Sequence, residues 1–250
     1  MKKINLRLCV AGPNQRLEQF KKCLESYKKH FEINKLIIYT TDNLRDSVKQ
    51  YVPSATIISI NQFTQATSRF SKTIQEVLDF SRNLYCGGDP MRNFFYEHIR
   101  WLMDYYYIND EPVILSDTDI LIGDKIKIIE DWIDSPNYLL YASNNCDGYF
   151  YDNAEILKKE DISIKIFDKI PYFNCGFMCI PANFKMDMEQ IFKMISYNPE
   201  SWVSEQTAIA IFIIRNGRKT KIIPIKKLAK FEGELKDKTL LHGGPFGVVI

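Results

Sequence analysis

The chain has no CxxC pair, no excess of one charge sign, no apolar run of membrane-spanning length, and only three histidines in 250 residues. Each absence excludes something. The 33 basic and 31 acidic residues leave a formal net charge of +2, so the electrostatic footprint of a nucleic-acid binder is missing. Lysine pairs such as Lys21-Lys22, Lys28-Lys29 and Lys226-Lys227 read as solvated helix faces. Cys9, Cys23, Cys86, Cys146, Cys175 and Cys179 are scattered without the tight paired spacing of a zinc site. Several sit in apolar runs, where a reduced thiol behaves as a small hydrophobe, so a reducing compartment is expected. The start, Met1-Lys2-Lys3-Ile4-Asn5-Leu6-Arg7, lacks the apolar core of a secretory signal. With no transmembrane segment either, the expected location is cytoplasmic. The first loop, Ala11-Gly12-Pro13-Asn14, lacks GxGxxG, which argues against a dinucleotide cofactor.

What is present suits a globular α/β enzyme, with 46% hydrophobic residues and length enough to bury a core as one domain. Residues 4–10 read as a strand. Leu17, Phe20, Leu24, Tyr27 and Phe31 then recur at helical spacing. Leu36–Tyr39 and Thr56–Ile60 are further strands, separated by a helix through Leu44, Val48 and Tyr51. Continuous apolar strands alternating with helices predict a Rossmann-like parallel sheet covered on both faces. Helices are predicted over 63–85, 91–107, 124–134, 183–195 and 201–214, and strands over 138–142, 175–181 and 221–225. The stretch 147–167 reads as a hairpin with a loop. The domain divides into a nucleotide-binding half, 1–122, and a donor-sugar and acceptor half, 123–250.

Four pieces carry chemistry. After the apolar run Val113-Ile114-Leu115 comes Ser116-Asp117-Thr118-Asp119. On an extended segment, carboxylates two residues apart share a side, and such a pair wants a cation between its charges; a strand-terminal turn with solvated acids accounts for the same residues. Hard oxygen ligands suit Mg²⁺ or Mn²⁺, which also bind nucleotide phosphates. In Phe173-Asn174-Cys175-Gly176-Phe177-Met178 an amide and a glycine interrupt an apolar strand. Asn174 offers donor and acceptor to a hydroxylated ligand, and Gly176 permits close backbone approach; a bulge with a satisfied Asn accounts for the same residues. Glu205-Gln206 opens a helix, either as a helix-start acid or as a sugar-hydroxyl station. His242 follows an apolar strand and precedes Gly243-Gly244, and can supply a third metal ligand.

In this order the pieces resemble the GT-A class of nucleotide-sugar glycosyltransferases, closest to the glycogenin and lipopolysaccharide-galactosyltransferase family. That family carries Asp-x-Asp after an apolar strand, a Phe-Asn-small-Gly-apolar-Met segment, an acid-Gln pair (Asp commoner than Glu) and a late His. Its usual Lys-Pro-Trp after that His is replaced here by Gly243-Gly244-Pro245-Phe246. The resemblance implies a mixed, mostly parallel sheet flanked by helices, and metal-dependent transfer of a hexose from a nucleotide sugar, UDP-linked by preference, to a glycan or other hydroxyl acceptor. It implies Asp119 and His242 as metal ligands, with Asp117 on the metal or on the ribose. Ala11, Gly12, Thr40, Thr41 and Asp42 would cradle the nucleoside, at the carboxyl ends of the first strands. Asn174, Gly176, Glu205 and Gln206 would meet the donor sugar and acceptor, joined by Asn144, Asn145 and Asp147. The family retains anomeric configuration; an inverting enzyme would need Glu205 or Asp147 as base. Arg92 and Arg100 either meet a phosphate or form ion pairs.

Two other readings stand beside this one. A haloacid-dehalogenase-type phosphatase also uses Asp-x-Asp after an apolar strand, yet it expects that strand near the domain start. A non-catalytic nucleotide- or carbohydrate-binding module would keep the cleft without the chemistry.

Overall fold

The structure, a computed structural model, describes residues 1–65, 70–84, 94–106, 111–143, 154–163, 173–201, 204–224, 227–229 and 236–242, with the backbone alone at 94, 97, 105, 106, 143, 228, 229 and 242. In chain order the elements are β1 (Lys2–Val10), α1 (Gln15–His30), β2 (Phe31–Thr40), α2 (Asp42–Tyr51), β3 (Thr56–Ser59), α3 (Ile60–Gln65), α4 (Lys72–Ser81) and α5 (Phe94–Tyr106). Then come β4 (Val113–Ser116), β5 (Ile120–Ile122), α6 (Lys127–Asp134), β6 (Leu139–Ser143), α7 (Ala154–Lys159), β7 (Phe173–Ile180), α8 (Met188–Ile195), α9 (Ser204–Arg215), β8 (Thr220–Ile223), β9 (Leu228–Ala229) and β10 (Leu240–His242).

The main sheet has seven strands in the order β3-β2-β1-β4-β7-β6-β8. Among the described strands of this sheet only β7 runs against its neighbours, β4 and β6. The sheet is therefore mixed and mostly parallel, as the apolar strand-helix alternation predicts. A second sheet, β5-β10-β9, has three short strands.

Strand alternation sends β1 side chains to two different cores. Ile4, Leu6, Leu8 and Val10 pack with Phe20, Leu24 and Tyr27 of α1 and Val48 of α2. Arg7 turns the other way, towards Tyr39 and Asp104. That side is closed by α4, α5, α8 and α9, through side chains such as Val77, Trp101, Phe192 and Ile209.

Three local expectations change. The span 63–85 is not one helix: α3 ends at Gln65, and α4 starts at Lys72 behind Ser71, whose hydroxyl accepts from Ile74 N. A side-chain cap of that kind opens a new helix. Within 147–167 the described part holds the helix α7 and no hairpin. The helix predicted over 183–195 begins only at Met188, where the Asp187 carboxylate accepts from Gln190 N and fixes the start.

Candidate active site

The carboxyl ends of parallel neighbours β2, β1 and β4 lie along one edge of the main sheet. Val10 is in register with Thr40, and Leu8 with Ser116. Ala11-Gly12, Thr40-Thr41-Asp42 and Asp117 thus leave the sheet side by side, at the edge where open α/β sheets bind ligands. Gly12 has φ +103°, a conformation that a side chain would strain. Its carbonyl accepts from Asn43 Nδ2 at 3.2 Å, tying the two loops together. Asp42 accepts from Ser59 Oγ at 2.7 Å and Asn61 Nδ2 at 2.8 Å, so its carboxylate braces the β3–α3 junction. Thr41 is buried, and its Oγ1 makes no hydrogen bond within the described residues. A buried hydroxyl of that sort is a natural point for a ligand to meet.

The Asp117-Thr118-Asp119 segment is a turn, not an extended strand. Ile120 N donates to Asp117 O, and the chain passes there from the main sheet into the small one. Period-two alternation therefore does not relate the two carboxylates. Asp117 forms an ion pair with Arg100 of α5. Asp119 is half-buried, with Oδ1 shut from solvent. Cys23 of α1 packs nearby: burial first, then the Asp119 charge, pushes its thiol far above the ordinary range. It is a structural thiol, not a reactive one.

The strand β7 carries a bulge. Tyr141 of β6 pairs with Met178, but the next residue, Ala142, pairs with Asn174. Residues 175–177 therefore bulge away from β6, while Phe177 stays in register with Ser116 on the other side. The bulge gathers the predicted pieces. Gly176 O accepts from Asp117 N at 2.7 Å, and Asn174 Oδ1 accepts from Gly176 N at 2.7 Å. Cys175 N donates to Gln206 Oε1 at 3.3 Å, and Cys175 O accepts from Arg100 Nη2 at 3.3 Å. Asp117, Asn174, Gly176 and Gln206, dispersed over 90 positions of chain, thus meet around one irregularity. A bulge next to a site that re-aims a side chain is a recurrent device.

Glu205 is buried beside His98 of α5, with Oε2 3.7 Å from Nε2. The backbone of His242 is opposite Ile120 in the β5–β10 pair, next along the chain to Asp119. Its side chain lies outside the described residues, as do Asn144, Asn145, Asp147 and Arg92. Among the described residues no three His, Cys, Asp or Glu side chains cluster as a metal group. Of the residues expected to meet a metal, the turn presents the carboxylates of Asp117 and Asp119, hard oxygen donors of the kind that suit Mn²⁺ or Mg²⁺, and the backbone of His242 pairs beside them.

Two buried ionic groupings escape the sequence motifs. Arg7 Nη1 donates to Asp104 O at 3.0 Å and lies 3.8 Å from Asp104 Oδ1. Burial pushes the Asp104 carboxyl up, against the opposing pull of Arg7 and Arg100. The signals were an arginine inside an apolar strand and the i, i+4 spacing of Arg100 and Asp104 on one helix face. The second grouping joins Ser81, His98 and Glu205.

No protein-family model matches the chain, and no curated protein matches it in sequence. Solved structures do match in fold. Mouse xyloside xylosyltransferase 1 in its apo form aligns at TM-score 0.61 and 10% identity, covering 99% of this chain and 100% of that one. The galactosyltransferase LgtC, in complex with donor and acceptor sugar analogs, aligns at TM-score 0.57 and 11% identity, covering 98% and 88%. The bifunctional glycosyltransferase WbbM aligns at TM-score 0.51 and 10% identity, covering 97% of this chain and 46% of that one. The seven-stranded mixed sheet with its helices is the GT-A fold of these glycosyltransferases.

Proposed function

We propose that the protein is a metal-dependent glycosyltransferase that moves a hexose from a nucleotide sugar, UDP-linked by preference, to a hydroxyl acceptor such as a glycan. One observation carries the reading. The β7 bulge ties Asp117, Asn174, Gly176 and Gln206 into one group at the sheet edge where the Gly12 loop and Thr41 leave β1 and β2. The GT-A fold shared with sugar-transferring enzymes supports it.

In this reading Thr41 and the Gly12 loop receive the nucleoside. Asp119 and His242 would hold Mn²⁺ or Mg²⁺, which would supply positive charge against a diphosphate leaving group. Asp117, held by Arg100, faces the ribose side of the same nucleotide. The bulge fixes Asn174 and Gln206 beside the donor sugar, and Glu205 stands next along α9. Orientation of this kind lowers the barrier by presenting the donor carbon and the acceptor hydroxyl already aligned. The phosphatase alternative fits poorly: the Asp-x-Asp strand is the fourth along the chain and joins the sheet beside β1.

Calorimetric titration with UDP and GDP, with and without Mn²⁺, tests the reading. Manganese-dependent binding of one nucleotide is expected in the wild type and is lost in Asp119→Asn. A folded wild-type protein that binds neither nucleotide overturns it.

A further inference from the structure

The segment from Asp117 to Ile122 carries Asp119 and forms β5, the strand that pairs with the backbone of His242. Wherever this backbone goes, both residues expected at the metal go with it. Among the described strands of the small sheet, the order β5-β10-β9 leaves β5 at an edge. A buried strand edge needs hydrogen-bond partners from elsewhere in the fold. Helix α1 supplies them. Ile122 is buried, and its N–H donates to Ser26 Oγ at 3.0 Å. The Ser26 hydroxyl hydrogen goes to Cys23 O at 2.6 Å, one turn back along α1, which leaves the oxygen to accept. A backbone N–H can only donate, so each group has its direction fixed by the other.

Cys23 lies three residues earlier on the same face of α1, and its Sγ donates to Asp117 O at 3.6 Å. Burial, more than the neighbouring Asp119 charge, raises this thiol far above its ordinary range, so it keeps the hydrogen that it donates. The same carbonyl accepts from Ser116 Oγ at 3.0 Å and Ile120 N at 3.3 Å. A thiol is a weak donor, so Ser26 makes the stronger of the two bonds from α1.

We propose that Ser26 and Cys23 are positioning residues for the metal: from one face of α1 they hold the two ends of the Asp117–Ile122 segment, and so set where Asp119 and the His242 backbone stand. This rests on the glycosyltransferase reading for the metal itself; the two hydrogen bonds stand on the geometry. Backbone and side chain are held from opposite faces of the main sheet. α1 takes the peptide at Asp117 O and Ile122 N, while Arg100 of α5 engages the Asp117 carboxylate. Removing Ser26 Oγ leaves a buried N–H without that acceptor, and the strand gains by shifting to find another. Ligands carried on a shifted strand lose their spacing. Groups that orient metal ligands from behind generally matter by about 10- to 100-fold in metal affinity.

The test is the Mn²⁺ concentration that half-saturates UDP binding to the full chain, read by calorimetry, with GDP in its place if GDP is the nucleotide bound. Ser26→Ala should need about tenfold more Mn²⁺, and Cys23→Ala a smaller excess. At saturating Mn²⁺ the nucleotide affinity of both variants should approach that of the wild type. Ser26→Thr and Cys23→Ser keep a hydroxyl at each position and should return most of the Mn²⁺ affinity. Amide hydrogen exchange locates the effect: the Ile122 N–H should exchange faster in Ser26→Ala than in Ser26→Thr. If Ser26→Ala loses stability in urea yet responds to Mn²⁺ as the wild type does, Ser26 serves the fold alone and the proposal falls. It falls equally if Ser26→Ala and Ser26→Thr weaken Mn²⁺ alike, since the hydroxyl is then not the cause. Should Ser26→Ala fail to fold, Cys23→Ala against Cys23→Ser decides by the same comparison. A wild type that binds a nucleotide without regard to Mn²⁺ overturns the metal reading itself, whereas variants that match a Mn²⁺-dependent wild type overturn this proposal alone.

Discussion

The two faces of the main sheet are built from the same strands and filled with opposite chemistry. Against α1, α2 and α6 the filling is hydrocarbon and aromatic: Leu6, Leu8, Phe20, Leu24, Val48 and Trp132 are buried, and the described residues bury no charged side chain there. Against α5 and α9 the same sheet buries Arg7, His98, Arg100, Asp104 and Glu205. Burying an ionisable group costs free energy, either by desolvating its charge or by holding it neutral as burial does for His98, so the second face gives up stability. What it gains is orientation. Arg100 ends on Asp117 and on the β7 bulge, and Arg7 and Asp104 sit behind it. One face holds the molecule together, and the other aims its site.

The largest effect is expected where only packing acts. Phe20 is fully buried on the apolar face, so Phe20→Ala should cost about 3–5 kcal/mol. A urea titration would show a lower midpoint at unchanged slope. Nucleotide affinity of the folded fraction should stay as in the wild type; a matching loss of affinity would mean that the two faces are not separable.

The charged face should respond differently. Asp104→Leu leaves Arg7 buried without its carboxylate, at a cost of about 3 kcal/mol. Arg7→Met together with Asp104→Leu should recover most of that loss, since the pair is removed whole. A double variant as unstable as the single one would show that the charges are not the issue. The sign with pH follows from burial raising the Asp104 carboxyl above its ordinary 3.8. Between that value and the higher folded one, the native state holds a proton that the unfolded chain has released. Stability therefore falls as pH rises through the window, and Asp104→Asn flattens that limb.

The same contrast explains what could be read in the sequence. Apolar periodicity reports packing, so the β1–α1–β2–α2–β3 order and the cores of β4 and β7 were legible from residues such as Leu24 and Ile38. The motifs at Asp117, Asn174 and Gln206 were legible as separate pieces: an acid pair after an apolar strand, an amide inside one, and an acid-amide pair opening an apolar helix. Their joining was not. A bulge at Asn174–Gly176 was one of the readings the sequence offered, but not that three β7 residues would leave β6 there or that they would meet Asp117, Arg100 and Gln206. The turn at Asp117–Asp119 was the alternative to an extended pair; what the sequence did not show is that Ile120-Leu121, which continues the apolar run, belongs to another sheet. Arg100 was seen as either a phosphate contact or an ion pair, and only tertiary placement gave it Asp117 as partner. His98 and Ser81 carry no local signal, because their meaning is each other's position.

The smallest predicted effect sits at the rim of the apolar face and has the opposite sign. His30 closes α1, with Nε2 3.4 Å from Asp124. Burial first, and Lys29 second, push its imidazole below the ordinary 6.5, against the pull of Asp124 and Glu130. Below 6.5 the unfolded chain takes up a proton that the folded one refuses until its lower value is reached. Stability therefore declines as pH falls through that interval, whereas Asp104 makes it decline as pH rises through its own. In His30→Gln the stability–pH curve should lose the His30 slope and keep the Asp104 slope. If both slopes disappear together, the two faces share one electrostatic network, and the division between a packing face and an aiming face is wrong.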